Sequence, residues 1–120
     1  MPNYFFDSQK ATEIDPQGAL PYNGWGDVLF MQSKYDEAIA KYRKAIEIDP
    51  KFAPAYGGWG FVLSAQGKYD EAIPKYKKAI EIDPKFALAY NGWGIVLMLQ
   101  GKGDEATVKL NRAVELSRSQ

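Results

Sequence analysis

The chain has 120 residues, 46% of them hydrophobic and 25% charged, which suits one folded domain with a modest core and argues against a wholly disordered chain. Lys and Arg number 15 and so do Asp and Glu, so the formal charge is zero, without the basic excess that neutralises phosphates in a nucleic-acid binder. With no Cys and no His, disulfides, zinc sites of the usual kind, and Cys–His or Ser–His–Asp nucleophiles are excluded together.

The opening Met1-Pro2-Asn3-Tyr4-Phe5-Phe6-Asp7 lacks the basic and apolar regions of a signal peptide. No apolar run nears the roughly 18 residues that span a bilayer, so no membrane insertion is expected. Compartment is not readable from these residues. Lys10-Ala11-Thr12-Glu13-Ile14-Asp15-Pro16 matches Lys44-Ala45-Ile46-Glu47-Ile48-Asp49-Pro50, which makes residues 1–18 the back half of a repeat.

Three full copies follow, at 19–52, 53–86 and 87–120. Trp25, Trp59 and Trp93 stand 34 residues apart, as do Gly26, Gly60 and Gly94, and the Asp-Glu-Ala triplets at Asp36, Asp70 and Asp104. Ala19–Phe52 and Ala53–Phe86 agree at 25 of 34 positions. The third copy drifts in its second half: Tyr69 becomes Gly103, Ile73 becomes Thr107, Tyr76 becomes Leu110, and Asp83-Pro84 becomes Ser117-Arg118.

Within each copy the spacing is helical. Tyr22, Trp25, Gly26 and Leu29 recur at threes and fours in the first half, and Ala38, Tyr42, Ala45 and Ile46 in the second. Ser33-Lys34 and Gly67-Lys68 break the two halves, Gly67 being suited to the left-handed end of a helix. Asp36 and Asp70 are expected as N-caps, with Glu in the first turn against the helix dipole. Asp49-Pro50 and Asp83-Pro84 stop the second helix, because the residue before Pro is pushed out of helical geometry. Pro74 falls near the start of its helix, where it is tolerated.

This pattern resembles the tetratricopeptide repeat family, whose 34-residue helix pair carries Trp, Leu-Gly, Tyr, Ala, an aromatic and Pro at set offsets. The matching residues of the second copy are Tyr56, Trp59-Gly60, Leu63, Gly67, Tyr69, Ala72, Tyr76, Ala79 and Pro84, and the resemblance covers about residues 10–116. It implies an all-α, right-handed α-solenoid of antiparallel helix pairs, forming a single domain over 1–120. First helices would line its concave face.

The recurring Trp and Tyr read as core packing rather than a cofactor or base-stacking set. The Asp-Glu pairs read as helix-end charges rather than an acid–base couple. Each occurs identically in every copy, whereas a catalytic pair needs one unique setting. The expectation is a non-catalytic protein-interaction scaffold without cofactor or metal.

Function in a solenoid resides where copies disagree on the ligand-facing stripe of the first helices. That stripe contains Leu20, Asn23, Asp27, Phe30 and Met31 in the first copy. The second supplies Pro54, Gly57, Phe61 and Ser64 with neighbouring Ala65, and the third Leu88, Asn91, Ile95, Met98 and Leu99. It is apolar for a surface, and Met adapts to varied apolar partners. An apolar or amphipathic peptide or helix is the expected partner.

Gly24, Gly58 and Gly92 beside the stripe admit two readings: tight packing behind an aromatic, or a groove deepened for a ligand backbone. Some tetratricopeptide domains clamp a chaperone's C-terminal carboxylate with Lys and Asn on successive first helices. Here the matching Asn23, Asp27, Gly58, Leu88 and Gly92 include no base and one acid, so such a tail is not the expected ligand. The asparagine ladder that grips a peptide backbone in other members is also missing, because Gly24, Gly58 and Gly92 stand in its place.

The competing expectation is self-assembly into a homo-oligomer through the solenoid ends or the groove. Thr107, Asn111 and Arg112 look like a polar cap on the last helix, but Val108, Val114 and Leu116 stay apolar. Copies this alike also fit a consensus-like engineered array without a native ligand.

Overall fold

The computed structural model describes residues 18–119, which form six α-helices and, among those residues, no strand. They are α1 (Ala19–Met31), α2 (Tyr35–Ile48), α3 (Ala53–Ala65), α4 (Tyr69–Ile82), α5 (Ala87–Leu99) and α6 (Gly103–Arg118). The leading half-repeat expected over 1–18 lies, apart from Gly18, outside the described residues.

Odd- and even-numbered helices differ in kind. Asp27 is the one charged residue in α1, and α3 and α5 have none, so these helices are apolar nearly all round and must be covered on several sides. α2, α4 and α6 carry charge on one face and Ala, Tyr or Leu on the other. α3 includes Gly57, Gly58 and Gly60, a poor helix former in isolation that depends on tertiary packing.

Each odd helix packs on the even helix after it, and each even helix on the next odd one. α1 also touches α3, and α3 touches α5, whereas α2, α4 and α6 do not meet. Close inner helices and splayed outer ones bend the stack, so α1, α3 and α5 line its concave side. The result is an all-α solenoid of helix pairs, 46 Å long and 30 Å across.

The wedges between successive pairs are tyrosines. Tyr42 and Tyr76 are the largest wholly buried side chains, at 1% and 0% exposure. Tyr42 lies against Gly26 and Gly58, where an added Cβ would come within 2.7 and 2.5 Å of its ring. Tyr76 repeats this at Gly60 and Gly92, at 2.7 and 2.6 Å. Of the two readings of Gly58 and Gly92, packing behind an aromatic is the one the structure adopts.

The tryptophans are half-buried, with a cation over one face of each. Lys41 Nζ stands 3.8 Å from the Trp25 ring centre, Lys75 Nζ 3.7 Å from that of Trp59 and Lys109 Nζ 4.1 Å from that of Trp93.

One local expectation is corrected. Asp36 and Asp70 are not N-caps; Lys34 and Lys68 occupy that position without a side-chain cap, and the Asp residues fall in the first turn. The chain enters these helices straight from a closing turn. The Lys34 N–H donates to Leu29 O and the Ser33 N–H to Phe30 O, both at 2.9 Å. Tyr35 is already helical, so Asp36 is the second residue of α2 and lacks the non-helical backbone an N-cap has. The acidic first turn still favours the helix dipole.

Candidate functional site

The concave surface is built from the faces of α1, α3 and α5 turned away from their partner helices. Ile95, Met98 and Leu99, at i, i+3 and i+4 on α5, are 42%, 56% and 59% exposed. Met31 is likewise exposed at the end of α1. Phe30, Phe61 and Ser64 are half-buried. Phe61 stands edge-on to Tyr76, their ring centres 5.6 Å apart, and Phe30 tilts against Tyr35 at 6.0 Å.

Leu20, Pro54 and Leu88 are exposed in the first turns of their helices. Two expected groove positions are withdrawn from the open surface. Asn23 is 8% exposed, and Gly57 lies beneath the Phe86 ring. Both sit where the next helix pair closes over the one before, so a stripe drawn from helical spacing alone runs past the groove and under the neighbour. Leu88 and half-buried Asn91 line a cavity shared with Ala113 and Val114 of α6, at the far end of the stack.

The even helices support this surface from beneath, which spacing along one helix does not reveal. The Tyr42 hydroxyl passes between α1 and α3 and donates to Asp27 Oδ1 at 2.6 Å. The Tyr76 and Ser64 hydroxyls pair at 3.1 Å, and Ser64 Oγ also donates to Gly60 O at 2.9 Å. Asp27 is exposed as a residue, yet its carboxyl turns inward onto Tyr42. Burial raises the Asp27 pKa above the ordinary 3.8, and the tyrosine hydrogen bond partly offsets that. Burial, then the neighbouring carboxylate, raises the Tyr42 phenol, while burial pushes Tyr76 to about 12 against a smaller opposing effect of Ser64.

The third copy has Leu110 in place of these tyrosines, packed against Gly94. The groove therefore grades along its length. Asp27 makes a polar, acidic first section, Phe61 and Ser64 a mixed one, and Ile95 and Met98 a wholly apolar one, backed from beneath by Tyr42, Tyr76 and Leu110 in turn.

No helix among the described residues is long and apolar enough to cross a membrane.

The family model described as "TPR repeat" matches residues 26–67 and 60–101. No curated protein matches the chain. Among solved structures, one titled "Crystal structure of MamA" has a TM-score of 0.80 at 30% identity, covering 96% of this chain and 67% of that one. A second, "Crystal structure of MamA protein", has a TM-score of 0.77 at 31% identity, covering 95% and 62%. A third, "Crystal structure of YrrB: a TPR protein with an unusual peptide-binding site", has a TM-score of 0.80 at 32% identity, covering 92% and 57%. The chain thus spans about three fifths to two thirds of the length of these neighbours. The repeat fold is that of protein–protein interaction scaffolds, whose members are generally non-catalytic, and its implied partner is a protein. By helix arrangement, repeat residues and family match, this chain belongs to the tetratricopeptide repeat family.

Proposed function

We propose that the groove of α1, α3 and α5 binds an apolar or amphipathic protein segment, oriented by the groove's own polarity. Apolar side chains of the partner dock over Ile95, Met98, Leu99 and Phe61, with Phe30, Met31 and Ser64 flanking. A polar or basic group of the partner faces Asp27, whose carboxylate accepts one hydrogen bond from Tyr42 and has lone pairs for more. The observation that carries this reading is the exposure of three large apolar side chains on one face of α5, inside a concave surface. That the YrrB structure is titled as having a peptide-binding site agrees with a groove of this kind.

Affinity capture from a lysate of the source tests it, comparing wild type with the Phe61→Asp/Met98→Asp double variant and with Met98→Asp alone. Phe61 packs on Tyr76, so the single variant at exposed Met98 controls for lost stability. If Met98 anchors the partner, its loss costs about 2 kcal/mol of binding, roughly thirtyfold in affinity, with helicity unchanged by circular dichroism. Undiminished capture by both variants rules the groove out.

A further inference from the structure

The outer helices α2, α4 and α6 do not meet, and Trp59 of α3 lies in the furrow between α2 and α4. Beside its ring opens a cavity of about 460 Å³, walled by Arg43, Lys44, Ile46 and Glu47 of α2. Toward α4 a second hollow runs from the same ring to Pro74 and Lys75.

The indoles hold a row of cations across the outer helices. Besides Lys75 at 3.7 Å, Trp59 has the guanidinium carbon of Arg43, from the preceding pair, 6.0 Å from its ring centre. Trp93 repeats this with Lys109 at 4.1 Å and with Lys77, again from the preceding pair, at 5.4 Å. Lys41 over Trp25 completes the row at 3.8 Å. Indole and cation thus alternate from α1 to α6. An indole face holds a long cationic side chain in place but leaves its charge uncompensated. The acids that follow the row are engaged elsewhere: Glu47, Glu81 and Glu115 pair with Lys44, Lys78 and Arg112 at 3.5, 3.6 and 3.2 Å. Among the described residues, none of the five cations over the rings has an acidic partner.

The zero net charge of the chain is reached by segregation. Residues 38–46, 72–80 and 106–114 hold eight Lys or Arg and no Asp or Glu. Acids stand about one turn away on both sides, at Glu37, Glu71 and Glu105 before the row and at Glu47, Glu81 and Glu115 after it. The cations over the rings sit at 41–43, 75–77 and 109, about 3 Å of rise along each helix. Neighbouring extended chains lie about 4.7–4.9 Å apart, so the row is one such chain wide. A nucleic-acid duplex, whose major groove alone is about 12 Å wide, would also press on the acidic rows, and so would a lipid surface.

We propose that this row is a second binding site, taking an extended acidic protein segment laid across the outer helices. Its carboxylates accept hydrogen bonds from the Lys and Arg N–H groups, while its other side chains fit the furrows beside the indoles. Packed helices lie about 8–10 Å apart, roughly three residues of extended chain, so an acid at every third residue or so meets successive helix pairs. The site is distinct from the concave groove, where Asp27 repels such a segment.

The test is a chemical-shift titration of the isotope-labelled chain at about 50 mM salt, where charge pairs are weakly screened. The probe is a synthetic peptide of about 15 residues with Glu at every third position and Gly and Ser between, long enough when extended to cross all three pairs. The indole N–H signals of Trp59 and Trp93 are expected to shift, with Ile95 and Met98 unmoved. Lys75→Gln/Lys77→Gln should weaken binding at least tenfold with its circular dichroism spectrum retained. Lys51→Gln/Lys68→Gln, an equal loss of charge outside the row, should change it less than threefold. Absence of shifts at millimolar peptide, shifts at Ile95 and Met98 instead, or equal weakening in the two double variants overturns the proposal. So does tighter binding, at the same salt, of a short DNA duplex or of phosphatidylserine vesicles.

Discussion

At the scale of single residues, the glycines of the odd helices and the tyrosines of the even ones are one device. A Cβ on Gly58 or Gly92 meets the rim of a wholly buried ring fixed on both sides, so neither ring can yield without opening the next junction. Gly58→Ala is therefore expected to destabilise the fold by about 1–3 kcal/mol, although Ala is the better helix former. Denaturant unfolding checks this; a stabilised variant would show that the ring moves aside freely.

Asp27 and the two tyrosines also set a pH dependence. A carboxyl with a raised folded-state pKa holds its proton more tightly folded than unfolded. Its contribution is fully present below the ordinary value of 3.8 and is lost as pH rises through the folded value. The stability of Asp27→Asn relative to wild type should thus increase from acid pH toward neutrality, and a flat difference in urea midpoints would contradict this. The same sign holds for the phenols. Stability from Tyr76 is intact below pH 10 and declines toward about 12, a decline that Tyr76→Phe should lessen.

At the scale of elements, three turns repeat one geometry with one unsuitable residue. Gly67 and Gly101 close α3 and α5 at φ 76° and 79°, and Ser33 takes φ 60° at the same place after α1. The closing hydrogen bonds are alike, the third N–H past the helix reaching Leu29, Leu63 or Leu97 at 2.8–2.9 Å. A side chain in left-handed geometry costs about 1–2 kcal/mol, so Ser33→Gly should stabilise the protein by about 1 kcal/mol in thermal or denaturant melts. Pro74 inside α4 is similar in kind: it removes one backbone donor on an exposed face where α2 has Ala40. Pro74→Ala should also stabilise, and an unchanged melting midpoint would show that the helix already absorbs the defect.

At the scale of the molecule, self-assembly is a competing proposal for what the exposed Leu20, Met31, Val108 and Val114 do. Light scattering over a concentration series distinguishes the cases: a mass that climbs with concentration supports assembly, and a constant monomer mass ends it.

The repeat and the all-helical fold were legible in residue spacing. An interval of 34 and a period near 3.6 are one-dimensional consequences of stacking identical helix pairs. The Tyr42–Asp27 and Tyr76–Ser64 contacts were not read from it, since each joins different helices. A trace existed: the copies with a buried Tyr have Asp27 or Ser64 in the groove, while the copy with Leu110 has only Ile95 and Met98. The burial of Asn23 and Gly57 and the role of Gly58 and Gly92 were decided by tertiary structure alone. Periodicity specifies which face of a helix a residue occupies, whereas how far the neighbouring pair reaches across that face depends on packing in three dimensions.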